Sequence, residues 1–154
     1  MKEYLTVTEL PGYKASKEQL SRLYNRYRFA LPFCRDKEVL EIACGGGMGL
    51  GYLAKVARKI VGGDIDKNIL KYPVEYYKGN NKIEIKELDA HRLPFEDKSF
   101  DVIILYEAIY YLSKPEMFVS EAYRLLRDSG VLLICTVNKD WIDFNPSPFS
   151  TKYL

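Results

Sequence analysis

The sequence predicts an α/β protein built on a doubly wound parallel sheet, and three observations carry that prediction. Short apolar segments of strand length alternate with segments of helical periodicity along most of the chain. The connections between them are short, and no internal repeat or low-complexity stretch interrupts the alternation. The first strand-like segment runs without a linker into a glycine turn, Gly45-Gly46-Gly47-Met48-Gly49, and from there into helix-like sequence. In open α/β sheets a turn at the carboxyl end of a central strand is where nucleotide ligands bind.

The elements follow in order. Met1 to Ala15 reads as an irregular lead-in with a turn at Pro11-Gly12. Ser16-Lys17-Glu18-Gln19 has the Ser-x-x-Gln form of a capping box and should start a helix. Leu20, Leu23, Tyr24, Tyr27 and Leu31 give that helix one apolar stripe, and Pro32 should end it. Arg22, Arg26 and Arg28 lie off the stripe and read as a solvated face rather than an RNA-binding one. Lys37 to Ala43 is the first strand, and Leu50 to Lys59 the helix after the glycine turn. Ile60 to Asp64 is the second strand. Asp66 can cap a helix from Lys67 to about Tyr77, which Pro73 should kink or end near Tyr72. Lys82 to Leu88 alternates polar and apolar residues, as a strand near a sheet edge does. Leu93 to Phe100 is a loop, and Val102 to Leu105 a short, fully apolar fourth strand. Pro115 to Arg127 reads as a helix with proline in its first turn, stopped by Asp128-Ser129-Gly130, and Val131 to Val137 is the fifth strand. One domain results: a helical lead-in over 1–36, a nucleotide-binding core over 37–137 and an irregular tail over 138–154.

Bulk properties set limits on function. The chain has 154 residues, 47% of them hydrophobic and 29% charged, which suits one soluble domain with a substantial core. A net charge of +2 with no basic run argues against nucleic acid as a partner. No apolar run approaches a membrane span of about 20 residues, and Met1 to Leu10 lacks the apolar segment of a signal peptide. Cys34, Cys44 and Cys135 show no CxxC spacing, so a reduced, cytoplasmic protein without disulfides is expected. No set of residues has the makings of a metal site.

Two ligands compete for the glycine turn. A dinucleotide needs G-x-G-x-x-G at the strand end, and the reading from Gly45 fails because Leu50 takes the third position. Gly49-x-Gly51-x-x-Ala54 fits formally but starts inside the expected helix. An adenosyl ligand without a pyrophosphate needs a glycine turn, an acid for the ribose hydroxyls and a polar group for the adenine amine. The turn is present, Asp64 ends the second strand 19 residues after Gly45, and Asp89 ends the third, followed by Ala90 and His91.

These residues resemble a known family. Glu41-x-Ala43-x-Gly45-x-Gly47-x-Gly49 is similar to motif I of class I S-adenosylmethionine-dependent methyltransferases, and Val61-Gly62-Gly63-Asp64-Ile65-Asp66 to their second-strand acid motif. Asp89-Ala90-His91-Arg92-Leu93-Pro94-Phe95-Glu96-Asp97-Lys98-Ser99-Phe100-Asp101 resembles a run found in the type 11 subgroup, which includes the ubiquinone and menaquinone methyltransferases. Glu107-Ala108-Ile109-Tyr110-Tyr111-Leu112 stands where that subgroup has a His-His-Leu segment. The resemblance runs from about Val39 to Val137 and implies a Rossmann-like sheet in the order 3-2-1-4-5. It also implies S-adenosylmethionine as cofactor, S-adenosylhomocysteine as product and a small-molecule methyl acceptor.

The resemblance also assigns residues. Gly45 and Gly47 would approach the methionine part of the cofactor, with Glu41 beneath its amino group and Tyr106 closing that side. Asp64 would hold the ribose hydroxyls and Ile65 pack on the adenine. Asp89 would accept from the adenine amine, with the Ala90 amide and His91 beside the ring. Tyr27 or Arg28 would lie over the cofactor from the first helix. Plainer readings compete at several positions. A strand-end Asp often caps the following turn. Cys44 has no base near it in sequence and should pack under the loop, and His91, the only histidine, reads as a loop residue beside the adenine. Tyr110 and Tyr111 could be core or face substrate. No catalytic residue is assigned, since methyl transfer mainly requires alignment of the acceptor.

Two positions depart from the family. Ala43 stands where it most often has a glycine, which is acceptable if the strand has not yet turned. The family sheet normally continues with an antiparallel pair, strands 6 and 7, whereas Asn138 to Leu154 shows no strand pattern. The fifth strand would then be an open apolar edge, so a truncated chain or a homo-oligomer through that edge is expected. A non-catalytic cofactor-binding domain and a nicotinamide-binding domain remain as alternatives to the enzyme.

Overall fold

The computed structural model describes residues 10–12, 14–140 and 145–151; most of the lead-in before Leu10 and parts of the tail lie outside the described residues. Five parallel strands form one sheet in the order β3-β2-β1-β4-β5. They are β1 (Glu38–Ile42), β2 (Lys59–Asp64), β3 (Ile83–Glu87), β4 (Phe100–Tyr106) and β5 (Leu126–Cys135). The helices are α1 (Lys17–Cys34), α2 (Leu50–Leu53), α3 (Lys67–Tyr76) and α4 (Pro115–Leu125), with a 3-10 turn at Ile109–Tyr111. The expected order is therefore found, with the polar third strand at one edge and β5 at the other.

Strand alternation splits the core into two layers. Val39 of β1 and Val102 and Ile104 of β4 pack with Tyr27, Ala30 and Cys34 of α1. Leu40, Ile42, Ile103 and Leu105 face the other way onto Phe118, Ala122 and Leu125 of α4. Phe118 is fully buried, and truncating such a ring to alanine costs about 3–5 kcal/mol. Glu41 has the parity of Val39, so the α1 layer has to accommodate a carboxylate.

Several boundaries differ from expectation for identifiable reasons. The capping box forms as predicted, with the Ser16 hydroxyl accepting from the Gln19 amide and the Gln19 side chain accepting from the Ser16 amide. Pro32, however, does not end α1, which runs on to the fully buried Cys34. Two of the five stripe residues, Leu20 and Tyr24, are also exposed, while Tyr27 of the stripe is buried together with Ala30 and Cys34. Only the C-terminal half of α1 lies on the sheet. Pro73 likewise fails to break α3, because its ring packs against Gly47 and holds the helix on the sheet.

The helix after the glycine turn is a single turn rather than the ten residues expected. The chain must reach Lys59, which pairs with Glu38, and the Arg58 amide already donates to the Lys37 carbonyl. Asp128-Ser129-Gly130 does not end α4, which stops at Leu125. It bulges within β5 instead, with Ser129 at φ 64° and five residues of β5 spanning two of β4.

Candidate functional site

A cleft of about 950 Å³ opens at the carboxyl ends of β1, β2 and β4. Its floor is the glycine turn, and its roof is the N-terminal half of α1, through Gln19, Arg22 and Leu23. Of the ten predicted site residues, Glu41, Ala43, Gly45, Asp64, Ile65, Asp89, Ala90, His91 and Tyr106 line it. Gly47 does not. A Cβ there would lie 2.7 Å from the Pro73 Cβ, so this glycine admits the protein's own α3 at φ 73°. Gly49 is similar, because a Cβ would meet the Tyr27 ring at 1.9 Å. Two of the three alternating glycines thus make room for packing that shapes the turn. Only Gly45, at φ 55°, turns the backbone beside the cleft.

Ala43 corrects an expectation. The strand has already turned there: its φ is 56°, a conformation that costs a residue with a Cβ about 1–2 kcal/mol. This alanine is strained where the family most often has a glycine.

Glu41 is buried to 2% exposure at the end of β1. The Tyr27 hydroxyl donates to its Oε1 at 2.5 Å, while its buried Oε2 has no hydrogen-bond partner among the described residues. Burial pushes its carboxyl up to about 7, against the opposing pull of the Tyr27 hydrogen bond and the Arg26 charge. Tyr27 in turn is edge-on to Tyr106, with ring centroids 5.7 Å apart, and the Tyr106 hydroxyl donates to the Arg26 carbonyl. Of the two candidates on α1, Tyr27 belongs to the site; Arg28 does not line the cleft, whereas Arg26 does.

Asp64 is both a turn-former and a cleft residue. Its Oδ2 accepts from the Gly45 amide and its Oδ1 from the Asp66 amide, each at 3.0 Å. Burial raises its carboxyl above the ordinary range, and those two backbone donors pull against the rise. Ile65, 54% exposed, presents an apolar face beside it. Asp89 accepts at Oδ1 from the His91 amide and the His91 Nδ1. Burial works to raise its carboxyl, and the two His91 contacts outweigh that and hold it below the usual range. The Lys114 amide donates to His91 Nε2 at 3.3 Å, so the imidazole carries its proton on Nδ1 and clasps the Asp89 turn to the segment before α4.

Cys44 is buried under the turn and its thiol is pushed well up by burial, so it is no nucleophile. Gly49 and Gly51, the glycines of the formal dinucleotide frame, are the N-cap of α2 and a residue within it. The backbone there is not a phosphate loop.

Comparison with known proteins decides the class of the site. A family profile described as "Methyltransferase domain" matches residues 40–134, which is more than half of the chain. The chain belongs to the S-adenosylmethionine-dependent methyltransferases, in the type 11 subgroup.

A probable S-adenosylmethionine-dependent methyltransferase of Mycolicibacterium smegmatis is 35% identical over 79% of this chain and 48% of its own length. A Mycobacterium tuberculosis protein described in the same words is 33% identical over 83% of this chain and 47% of its own. The chain therefore spans about half the length of these curated relatives. Among solved structures, a Pyrococcus horikoshii protein superposes with a TM-score of 0.71 at 30% identity, covering 87% of this chain and 65% of that one. A SAM-dependent methyltransferase of Aquifex aeolicus shares the fold, with a TM-score of 0.68 at 23% identity over 88% of this chain and 80% of its own.

The residues of this methyltransferase domain fit the family's cofactor. Glu41 offers a buried carboxylate oxygen without a partner among the described residues, suited to an ammonium group, and Ile65 an exposed apolar surface suited to a flat ring.

Several residues that were not predicted also shape the cleft and its surroundings, beside Tyr110 and Tyr111, which were foreseen as core or substrate-facing. Tyr77, just past α3, accepts from the Gly51 amide and donates to the Gly47 carbonyl at 2.8 Å, clasping the glycine turn. Arg124 pins the Leu93-to-Asp97 loop by donating to the carbonyls of Leu93 and Phe95 and to Asp97. That loop is the stretch most like the subgroup's own run. At the other end of the cleft, Glu107 stands at φ 51°. It pairs with Arg26 at 3.4 Å and accepts from the Tyr110 hydroxyl. The described tail folds back here: Thr151 donates to the carbonyls of Tyr110 and Leu112, and Tyr111 and Ser147 join hydroxyls at 2.5 Å. Tyr110 is buried and also lines the cleft, so it serves both as core and as wall. Glu107, the first residue past β4, is strained, and that strain is visible only in the backbone.

Proposed function

We propose that this chain is the cofactor-binding and catalytic domain of an S-adenosylmethionine-dependent methyltransferase acting on a small-molecule acceptor. The partnerless, buried carboxylate oxygen of Glu41 in the same cleft as Asp64 and Ile65 carries the reading. Burying a carboxylate without a partner is costly, so a cationic ligand group is its natural complement. When bound, the cofactor supplies a methyl group on a positively charged sulfur, already activated for transfer. The protein's part is to orient. Glu41 would hold the amino group, Asp64 the ribose hydroxyls and Ile65 the adenine face, with the Asp89 carboxylate and the Ala90 amide at the ring edge. The Gly45 turn and Tyr106 would lie along the methionine side. Glu107, Tyr110 and Tyr111 would form the acceptor end, where the carboxylate and the two phenols offer polar contacts in an otherwise apolar wall. A cleft roofed by α1 suits a small acceptor better than a polymer.

The edge of β5, with Ile134 at 40% exposure and no strand beyond it among the described residues, would be covered by further chain or by a second copy. No helix among the described residues is long and apolar enough to cross a membrane.

The test is label transfer. The chain is incubated with methyl-labelled cofactor and either the small-molecule or the macromolecular fraction of a cell extract. Label moving into a small molecule, and failing to move with the Asp64→Asn variant, is the expected result. Label entering protein or nucleic acid instead would overturn the acceptor class.

A further inference from the structure

Glu41 and Tyr27 come from segments 14 residues apart and meet in the buried layer between α1 and the sheet. The Tyr27 ring fills the space that Gly49 leaves, so its hydroxyl cannot drift, and it holds one carboxylate oxygen of Glu41 while the other is left unpaired. Resting on the cofactor assignment above, we propose that Tyr27 and Glu41 form a proton-linked receptor for the ligand's ammonium group. Burial favours the protonated form of Glu41 before the ligand arrives, and binding of the amino-acid tail expels that proton to solvent.

The balance is simple. The carboxylic acid and the ammonium ion become a carboxylate paired with the ammonium, and one proton leaves to the buffer. Tyr27 is a positioning residue in this scheme: its hydroxyl stabilises the carboxylate form and fixes which oxygen is offered. The titratable groups around Glu41 are Tyr27, Arg26 and Cys34 on α1, Cys44 in the turn, Tyr77 after α3 and Tyr106 on β4. Burial pushes every one of the phenols and thiols upward, so they stay neutral while Glu41, held at about 7, titrates. Arg26, the one cation of the set, is already paired with Glu107.

Calorimetric titration in two buffers of different ionisation enthalpy counts the protons. Two probes separate this proposal from the cofactor assignment. S-adenosylhomocysteine carries the amino-acid tail, whereas methylthioadenosine keeps the adenine and ribose without it, so any proton exchange at the adenine and ribose end is common to both. At pH 6.5 S-adenosylhomocysteine should release about half to one proton more than methylthioadenosine, and the excess should fade by pH 9. Glu41→Gln should abolish the excess. Tyr27→Phe, which keeps the ring packed on Gly49, should extend the excess to higher pH and weaken S-adenosylhomocysteine while leaving methylthioadenosine unchanged. A purely structural role for Tyr27 would weaken both ligands alike. Equal proton release by both ligands, with both bound, overturns the proposal and leaves the cofactor assignment standing. Failure of both to bind the folded chain overturns the two together.

Discussion

The two halves of the cleft are built differently. On the β1–β2–β3 side the predicted cofactor groups are held by hydrogen bonds from the main chain. Asp64 holds the amides of Gly45 and Asp66, and Asp89 holds that of His91. Tyr77 ties Gly47 to Gly51. On the β4–β5 side the wall is assembled from side chains of three distant segments: Arg26 of α1, Glu107 with Tyr110 and Tyr111 after β4, and Ser147 with Thr151 of the tail. A site made of turns needs particular residues at fixed spacing, whereas a site made of side-chain contacts needs only that something complementary arrive. The first leaves a signature in the chain and the second does not.

Substitutions can break that comparison at its strongest point first. Gly49→Ala places a methyl group within the Tyr27 ring and should cost roughly 3 kcal/mol in chemical denaturation. In a Tyr27→Ala background the same change should cost less than about 1 kcal/mol, which a double-mutant cycle would show. Equal costs in both backgrounds would mean that the turn does not depend on α1.

Glu41 gives the next largest effect, and it depends on pH. Its folded carboxyl is raised above the usual 4.5 to about 7, so the folded state binds more protons than the unfolded chain between those values. Stability should therefore fall as pH rises through that window, by about 3 kcal/mol in all. Glu41→Gln should flatten this slope, so the variant gains on the parent between pH 5 and pH 9. Parallel curves would show that Glu41 is ionised throughout. Ala43→Gly should stabilise the chain by about 1 kcal/mol, by relieving its left-handed backbone at some cost in chain entropy. Tyr111→Phe removes the hydroxyl that meets Ser147, and should change adenosyl-ligand affinity by less than about fivefold, since a single neutral hydrogen bond contributes around 1 kcal/mol or less. A larger loss would mean that the two halves are coupled.

The same division explains what could be read from the chain. The strands, the β3 edge and the Ser16 cap were legible because periodicity and capping are local, whereas the strand order followed from the family resemblance. The glycine turn, Asp64 and Asp89 could be placed together at one cleft because turns at strand ends fix spacing along the chain. The roles of Gly47 and Gly49 were not, since a glycine required by a ligand and one required by Pro73 or Tyr27 look alike in sequence. Pro32 and Pro73 were misread because tertiary packing overrode a local rule, and Tyr77 and Arg124 gave no local sign of the loops they hold. Ala43 was the instructive case: the departure from the family was visible in the sequence, but only the backbone shows that it is strained.

The central property of this site is that the cleft should take an adenosyl ligand through the strand-end acids. Calorimetric titration of the chain and its Asp64→Asn variant with S-adenosylhomocysteine and with NAD tests this most directly. S-adenosylhomocysteine should bind the parent, NAD should not, and the variant should lose on the order of 100-fold in affinity, as expected for weakening charge-assisted hydrogen bonds. Binding of NAD in preference, or S-adenosylhomocysteine affinity unchanged by Asp64→Asn in a folded variant, would contradict it.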